Sequence, residues 1–267
     1  MTPRAEIGHD SSVIPSFETS LISLTLAGVH KNTSDGPAME QDVRFCTSPD
    51  GVNIAYAVTG TGPILVRVNS WFSHLELDRK SPISSHRTEA LSEQFRYVRF
   101  DARGTGLSDR DVEPPAMDDW VRDLETVIDD LGEEKVRLFG YCQGGPVAVT
   151  YAAKHPERVS HLVLCGSYDQ GGLAPGAPAE EVERAEALEE MIKVGWADDS
   201  HAFRELFANL FIPGATREEQ RWLSEMQRES ATPEMATHLW RAINEIDVRE
   251  MAERVQAPTM SFHARED

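Results

Sequence analysis

Six residues, Gly140-Tyr141-Cys142-Gln143-Gly144-Gly145, place a thiol between glycines at the junction of two patterned segments. The apolar run Lys135–Phe139 leads in and Pro146–Ala153 leads out, which predicts a strand, a sharp turn and a helix. A G-x-S-x-G elbow has this layout, here with cysteine in the serine position. Gly140 and Gly144 would permit the strained turn and close strand–helix packing. Cys142 would then project beyond the sheet as a nucleophile, and backbone N–H groups at the helix start would face developing negative charge. The chemistry this suits is attack on a carbonyl carbon. A thiol needs a histidine or a helix N-terminus to raise its thiolate fraction at neutral pH. The alternative for Cys142 is a small residue filling a serine-like slot without reacting.

A chain of 267 residues has room for one large domain, or for one domain carrying an insertion. Hydrophobic residues at 40% and charged residues at 27% describe a soluble globular protein, and no apolar run is long enough to cross a bilayer. Without a charged start and apolar stretch of a secretory signal, a cytoplasmic protein is expected. A net charge of −19, from 26 basic and 45 acidic side chains, would repel polyanions, so nucleic acid is not an expected partner. Three cysteines without regular spacing argue against a disulfide framework. Cys46 and Cys165 lie in strand-like runs and read as inert core thiols.

Residues 1–40 carry scattered Ser, Thr, Gly, Pro and Asn and are expected to form a disordered extension. From there the pattern sharpens. Val43–Ser48 and Val52–Val58 flank a Pro49-Asp50-Gly51 hairpin signal, and Ile64–Val68 and Tyr97–Phe100 read as further strands. Residues 74–95 are expected to be helical or irregular. Trp120, Val121, Leu124, Val127, Ile128 and Leu131 recur at helical spacing, with Gly132 placed to cap the end. The elbow helix reaches about His155, and Val159–Leu164 is the next strand. Alternation of strands and helices implies a doubly wound, mostly parallel sheet.

That alternation stops at about residue 173 and returns only at Pro258–His263. Between them, Ala179–Val194 is one helix, and Ser200 could cap another with Phe203, Leu206, Phe207 and Leu210 on one face. Thr216-Arg217-Glu218-Glu219 is a capping-box pattern, and Thr232-Pro233 opens a further helix. The expected organisation is a core over 41–172, a helical cap over 173–250, and a return to the core over 251–267. The aromatic and Met stripes of the insert read as packing.

This order of elements and motifs resembles the α/β-hydrolase superfamily, in its capped esterase-like branch, over about residues 41–267. The resemblance rests on the hairpin and third strand, on Asp101–Ser108 (D-x-R-G-x-G-x-S), on the elbow, on His155–Val159 and on Ala257–Asp267. Trp71–Glu76 and the acidic insert also resemble α/β-hydrolase domains found free or attached to bacterial regulatory and cyclase-like proteins.

The resemblance implies a Cys-His-Asp site acting on a small-molecule acyl substrate, without metal or organic cofactor. Dienelactone hydrolases in the same superfamily use a cysteine at the elbow. The Gln143 N–H would be one oxyanion donor. The second would come from the turn after the third strand, where Asn69-Ser70-Trp71 replaces the usual His-Gly-x; Trp71 N–H is the candidate, and its ring is also a candidate pocket wall. Asp267 matches the acid that orients the histidine, with Asp169 as the other candidate. Asp101 and Arg103 would brace the loop beside the elbow. The family's histidine lies beyond the acid, and none of the nine histidines here occupies an equivalent position. The expectation is therefore a truncated chain lacking the last strand, histidine and helix, inactive as it stands. A non-catalytic ligand-binding or regulatory module is the alternative. Oligomeric state is not legible.

Overall fold

The computed structural model describes residues 41–68, 71–196, 201–212 and 214–263, with backbone alone at 201, 202, 204 and 205. The expectations for residues 1–40, Asn69, Ser70, Ser200 and Asp267 therefore fall outside the described residues.

Seven strands form one sheet in the order β1-β2-β4-β3-β5-β6-β7. They are β1 (Asp42–Thr47), β2 (Asn53–Thr59), β3 (Ile64–Val68), β4 (Arg96–Phe100), β5 (Val136–Tyr141), β6 (Val159–Cys165) and β7 (Thr259–Phe262). β1 pairs antiparallel with β2 and β2 with β4, while every pair from β4 through β3, β5 and β6 to β7 is parallel. The Pro49-Asp50-Gly51 hairpin forms as expected, with Gly51 at φ +91° and its N–H donating to the Ser48 carbonyl.

The nine described helices are α1 (Leu75–Asp78), α2 (Ser85–Ser92), α3 (Met117–Asp130), α4 (Gly144–Lys154), α5 (Ala179–Gly195), α6 (His201–Phe211), α7 (Arg217–Ser230), α8 (Pro233–Asn244) and α9 (Arg249–Ala252). Alternation along β3 explains the two-sided core. Ile64, Val66 and Val68 join the buried cluster that contains α3 and α4, whereas Leu65 packs with Leu91, Phe95, Tyr97, Phe139 and Val163 on the other face. The apolar stripe of α3 buries Trp120, Val121, Leu124, Val127 and Ile128, and Gly132 at φ +69° turns the chain out of the helix. Among the described residues no helix is long and apolar enough to cross a membrane.

Five described helices, α5 to α9, occupy the chain between β6 and β7. Both expected caps form: Thr216 and Glu219 bond each other reciprocally, and the Thr232 hydroxyl accepts from the Met235 N–H with Pro233 in the first turn. Sequence spacing misassigns α6. Phe207 is buried, but Leu206 and Leu210 are exposed at 51% and 44%, so they do not share its buried face. Tryptophan N–H groups fasten the insert. Trp240 Nε1 donates to the Ala185 carbonyl (2.9 Å), Trp196 Nε1 to the Ala231 carbonyl (2.9 Å), and Trp222 Nε1 to the Leu77 carbonyl in α1 (3.2 Å).

Candidate functional site

β5 ends at Tyr141 and α4 begins at Gly144, so only Cys142 and Gln143 make the turn between them. Cys142 has φ +52° and is the one non-glycine residue with positive φ among the described residues. A side chain in the left-handed region costs roughly 1–2 kcal/mol. Two hydrogen bonds hold it there: the Cys142 N–H donates to the Cys165 carbonyl and the Gly145 N–H to the Cys142 carbonyl, both at 2.9 Å. Replacing Cys142 by glycine removes the Cβ that makes this backbone unfavourable. Cys142→Gly should therefore be more stable than Cys142→Ala by about 1 kcal/mol in urea unfolding. Equal stabilities would show that φ +52° carries no strain.

Close packing at the turn involves Gly140 and a further glycine, Gly145. A Cβ on Gly140 would lie 2.7 Å from Gly145 Cα, and one on Gly145 would lie 1.7 Å from Ser167 Oγ and 2.5 Å from Ser167 Cβ. Gly140 and Gly145 let strand, helix and the segment after β6 meet. Gly145→Ala must push that segment away or tilt α4, a strain of about 1–3 kcal/mol. The expected result is a corresponding loss of urea stability, partly restored by Ser167→Gly in the same chain; no recovery in the double variant would place the strain elsewhere.

Gln143 is buried, and among the described residues its backbone N–H has no hydrogen-bond acceptor. Trp71 is also buried, at the centre of an aromatic cluster. Its ring centroid lies 4.9 Å from Phe72, 5.5 Å from Trp196, 5.5 Å from Trp240, 6.3 Å from Phe207 and 6.4 Å from Phe211. Three elements of the insert thus close on the turn after β3. Behind that turn, Asp101 accepts from Ser73 Oγ (2.7 Å), Leu75 N–H (3.1 Å) and Leu107 N–H (2.9 Å). Burial nevertheless lifts its carboxyl above the ordinary range, against these three bonds. Gly106 is required here, since a Cβ would meet Asp101 Oδ2 at 2.2 Å.

Arg103 holds the same loop through ion pairs. It turns away to α3 and the β1–β2 hairpin, donating to Asp123 Oδ1 through Nε (2.9 Å) and Nη2 (2.7 Å) and to Asp50 Oδ2 through Nη1 (2.7 Å). Asp101 braces the turn; Arg103 braces the base of the loop that carries it.

A second charged group was not legible from the sequence. Arg67 and Arg99 are register partners on β3 and β4, and both donate to Asp78 Oδ2, at 3.1 and 2.8 Å. Ser84 Oγ donates to Asp78 Oδ1 (3.0 Å), and Arg99 Nη2 donates to Gln41 Oε1 (2.7 Å). Burial alone would raise the Asp78 carboxyl, but Arg67 and Arg99 hold it down at about 2. On the elbow side the guanidinium carbon of Arg67 lies 5.5 Å from the Tyr141 ring centroid and that of Arg87 lies 4.8 Å away.

The segment after β6 adds Tyr168. Its hydroxyl donates to the Ile243 carbonyl in α8 (3.1 Å), and burial, with the nearby Cys142, pushes its pKa far up. Asp169 beside it is exposed, and its carbonyl accepts from the Val248 N–H. Cys46 is buried and its thiol is pushed up to about 12 by burial, as suits an inert thiol. Cys165 is only half-buried, a departure from the core position expected.

The described histidines are dispersed. His155 closes the far end of α4 against Tyr151, with centroids 4.7 Å apart. His86 and His238 are exposed on α2 and α8, His263 is exposed past β7, and His161 lies within β6. His74 precedes α1, with Nδ1 buried and without a hydrogen-bond partner among the described residues.

A family model described as alpha/beta hydrolase fold matches residues 84–267, well over half the chain. The AB hydrolase superfamily protein YisY of Bacillus subtilis is 29% identical over 175 residues, covering 65% of this chain and 64% of that protein. The mitochondrial palmitoyl-protein thioesterase ABHD10 of Bos taurus is 30% identical over 122 residues, 45% of this chain and 39% of that protein. The chain thus spans less than two thirds of the length of these relatives. Among solved structures, the esterase EaEST from Exiguobacterium antarcticum superposes with a TM-score of 0.67 at 23% identity, covering 81% of this chain and 79% of that one. With the strand order, the elbow and the family match in agreement, this chain belongs to the alpha/beta hydrolase fold family.

Proposed function

We propose that this chain is an acyl hydrolase acting on an ester, thioester or related bond, with Cys142 as nucleophile. The observation that carries the reading is the left-handed backbone of Cys142 at the apex between β5 and α4. Strain of this kind persists where surrounding structure fixes it, and it clusters at functional sites. The names of the esterase and thioesterase relatives support the acyl class.

In this scheme the Cys142 thiolate adds to the carbonyl carbon and forms a C–S bond. The resulting oxyanion is met by the N–H groups of Gln143 and Trp71. Collapse breaks the bond to the leaving alkoxide or thiolate, which takes up a proton, and leaves a thioester on Cys142. Water then hydrolyses that thioester, with Asp267 orienting a histidine that relays the proton. We assign no described histidine to that role. The insert over 173–250 acts as the cap, its aromatic residues excluding water around Trp71. The protein is proposed to work in the cytoplasm.

The test is mass spectrometry after incubation with p-nitrophenyl butyrate. A single butyryl adduct on Cys142 supports the reading; an unmodified Cys142, or an adduct that persists in Cys142→Ala, removes it. The dispersal of the described histidines favours a second reading, a ligand-binding module with an unreactive elbow, and that is the reading an unmodified Cys142 would leave.

A further inference from the structure

Arg67 and Asp78 form an ion pair across the base of the loop that follows β3. They lie eleven positions apart in sequence, and Trp71 lies between. The pair closes that loop with an Nη1–Oδ2 distance of 3.1 Å, and Arg99 fixes the same carboxylate oxygen from the neighbouring strand at 2.8 Å. The Arg67 guanidinium has a second contact, the ring of Tyr141. Tyr141 immediately precedes Cys142, so its ring hangs from the strand end that leads into the elbow. Arg87 of α2 lies over the same ring. One planar cation therefore touches both segments that would supply oxyanion donors, on the sheet face away from α3 and α4.

We propose that Arg67 is a positioning residue, which ties Asp78 on the turn side to Tyr141 on the elbow side and so sets the separation of the Trp71 and Gln143 N–H groups. This inference rests on the acyl-hydrolase reading of the same site. An oxyanion site is sensitive to such positioning, because an error of about 1 Å in placement costs on the order of 100-fold.

A merely structural role and a positioning role part at Cys142 itself. Acylation by p-nitrophenyl butyrate builds an oxyanion; alkylation by iodoacetamide does not. Both rates are measured at Cys142 in the 267-residue chain, and their ratio is compared with those of Tyr141→Leu, Tyr141→Phe and Arg67→Lys. Tyr141→Leu removes the ring at a half-buried position, so it decides the matter even if Arg67→Lys fails to fold. The expected result is a fall of about tenfold or more in the acylation-to-alkylation ratio for Tyr141→Leu and Arg67→Lys, from slower acylation alone. Tyr141→Phe keeps the ring and should keep the parental ratio. A folded Tyr141→Leu with an unchanged ratio overturns the positioning role while leaving the acyl-hydrolase reading intact. An unmodified Cys142 in the parent chain overturns both.

Discussion

Cys142→Ala should abolish the burst of p-nitrophenolate that the parent chain releases from p-nitrophenyl butyrate. The parent burst should approach one equivalent per chain, because thioester formation from an activated ester needs only the thiolate and the oxyanion donors. Losing the nucleophile of a triad typically costs about 10⁶-fold in turnover. For a single acylation the loss is complete, since no other described thiol combines the Cys142 setting with access. Cys46 is buried with its pKa pushed up to about 12, which leaves almost no thiolate at neutral pH. Cys165 is half-buried on the neighbouring strand and its carbonyl is bonded to the Cys142 N–H, so Cys165→Ser is the control that should retain the burst. Cys142→Ser keeps the geometry but replaces a thiol by a hydroxyl that needs a base, and it should show a burst at least 100-fold slower. A burst that survives in Cys142→Ala would remove Cys142 from the chemistry.

The elbow was legible because local signals agreed: an apolar run, a glycine-flanked apex and an apolar helix in succession. The same argument found β3 without error and placed most strand ends within a residue or two. What it missed depends on approach in space. Gly145 carries the tightest contact of the turn, and its partner Ser167 lies 22 residues away on the segment after β6. The role of Trp71 as the meeting point of Trp196, Phe207 and Trp240 joins residues more than 120 positions apart. Arg67 was hidden in the same way. Ile64–Val68 reads as a buried strand, but nothing local says that its arginine lies beside Arg99 with both paired to the Asp78 carboxylate. Arg103 shows the limit of a motif: its presence in Asp101–Ser108 was informative, but its partners lie in α3 and the hairpin, which no local pattern names. The acid assigned to Asp267 remains a proposal built on sequence resemblance.

Asp78→Asn should destabilise the chain by about 3–5 kcal/mol at pH 6, because it leaves two buried guanidiniums facing one neutral amide. Side-chain exposures of 8% for Arg67, 1% for Arg99 and 12% for Asp78 leave little solvent to compensate. The loss should itself depend on pH in a direction fixed by the carboxyl. Asp78 is held at about 2 in the folded chain, against an ordinary value of 3.8. A group whose pKa is lowered by folding adds stability that is fully present above its unfolded value. That stability drains as the pH falls toward the folded value. The window is therefore about pH 4 down to pH 2, and the part at stake is roughly 2–3 kcal/mol. Urea unfolding of parent and variant at pH 6, 5, 4 and 3 checks this. The gap between the two curves should hold steady from pH 6 to 5 and narrow below pH 4, where protonation makes the parent resemble the variant. Contributions from the other carboxylates are common to both chains and cancel in the difference. A gap that stays constant to pH 3, or widens, would mean that Asp78 is not the charged partner of Arg67 and Arg99.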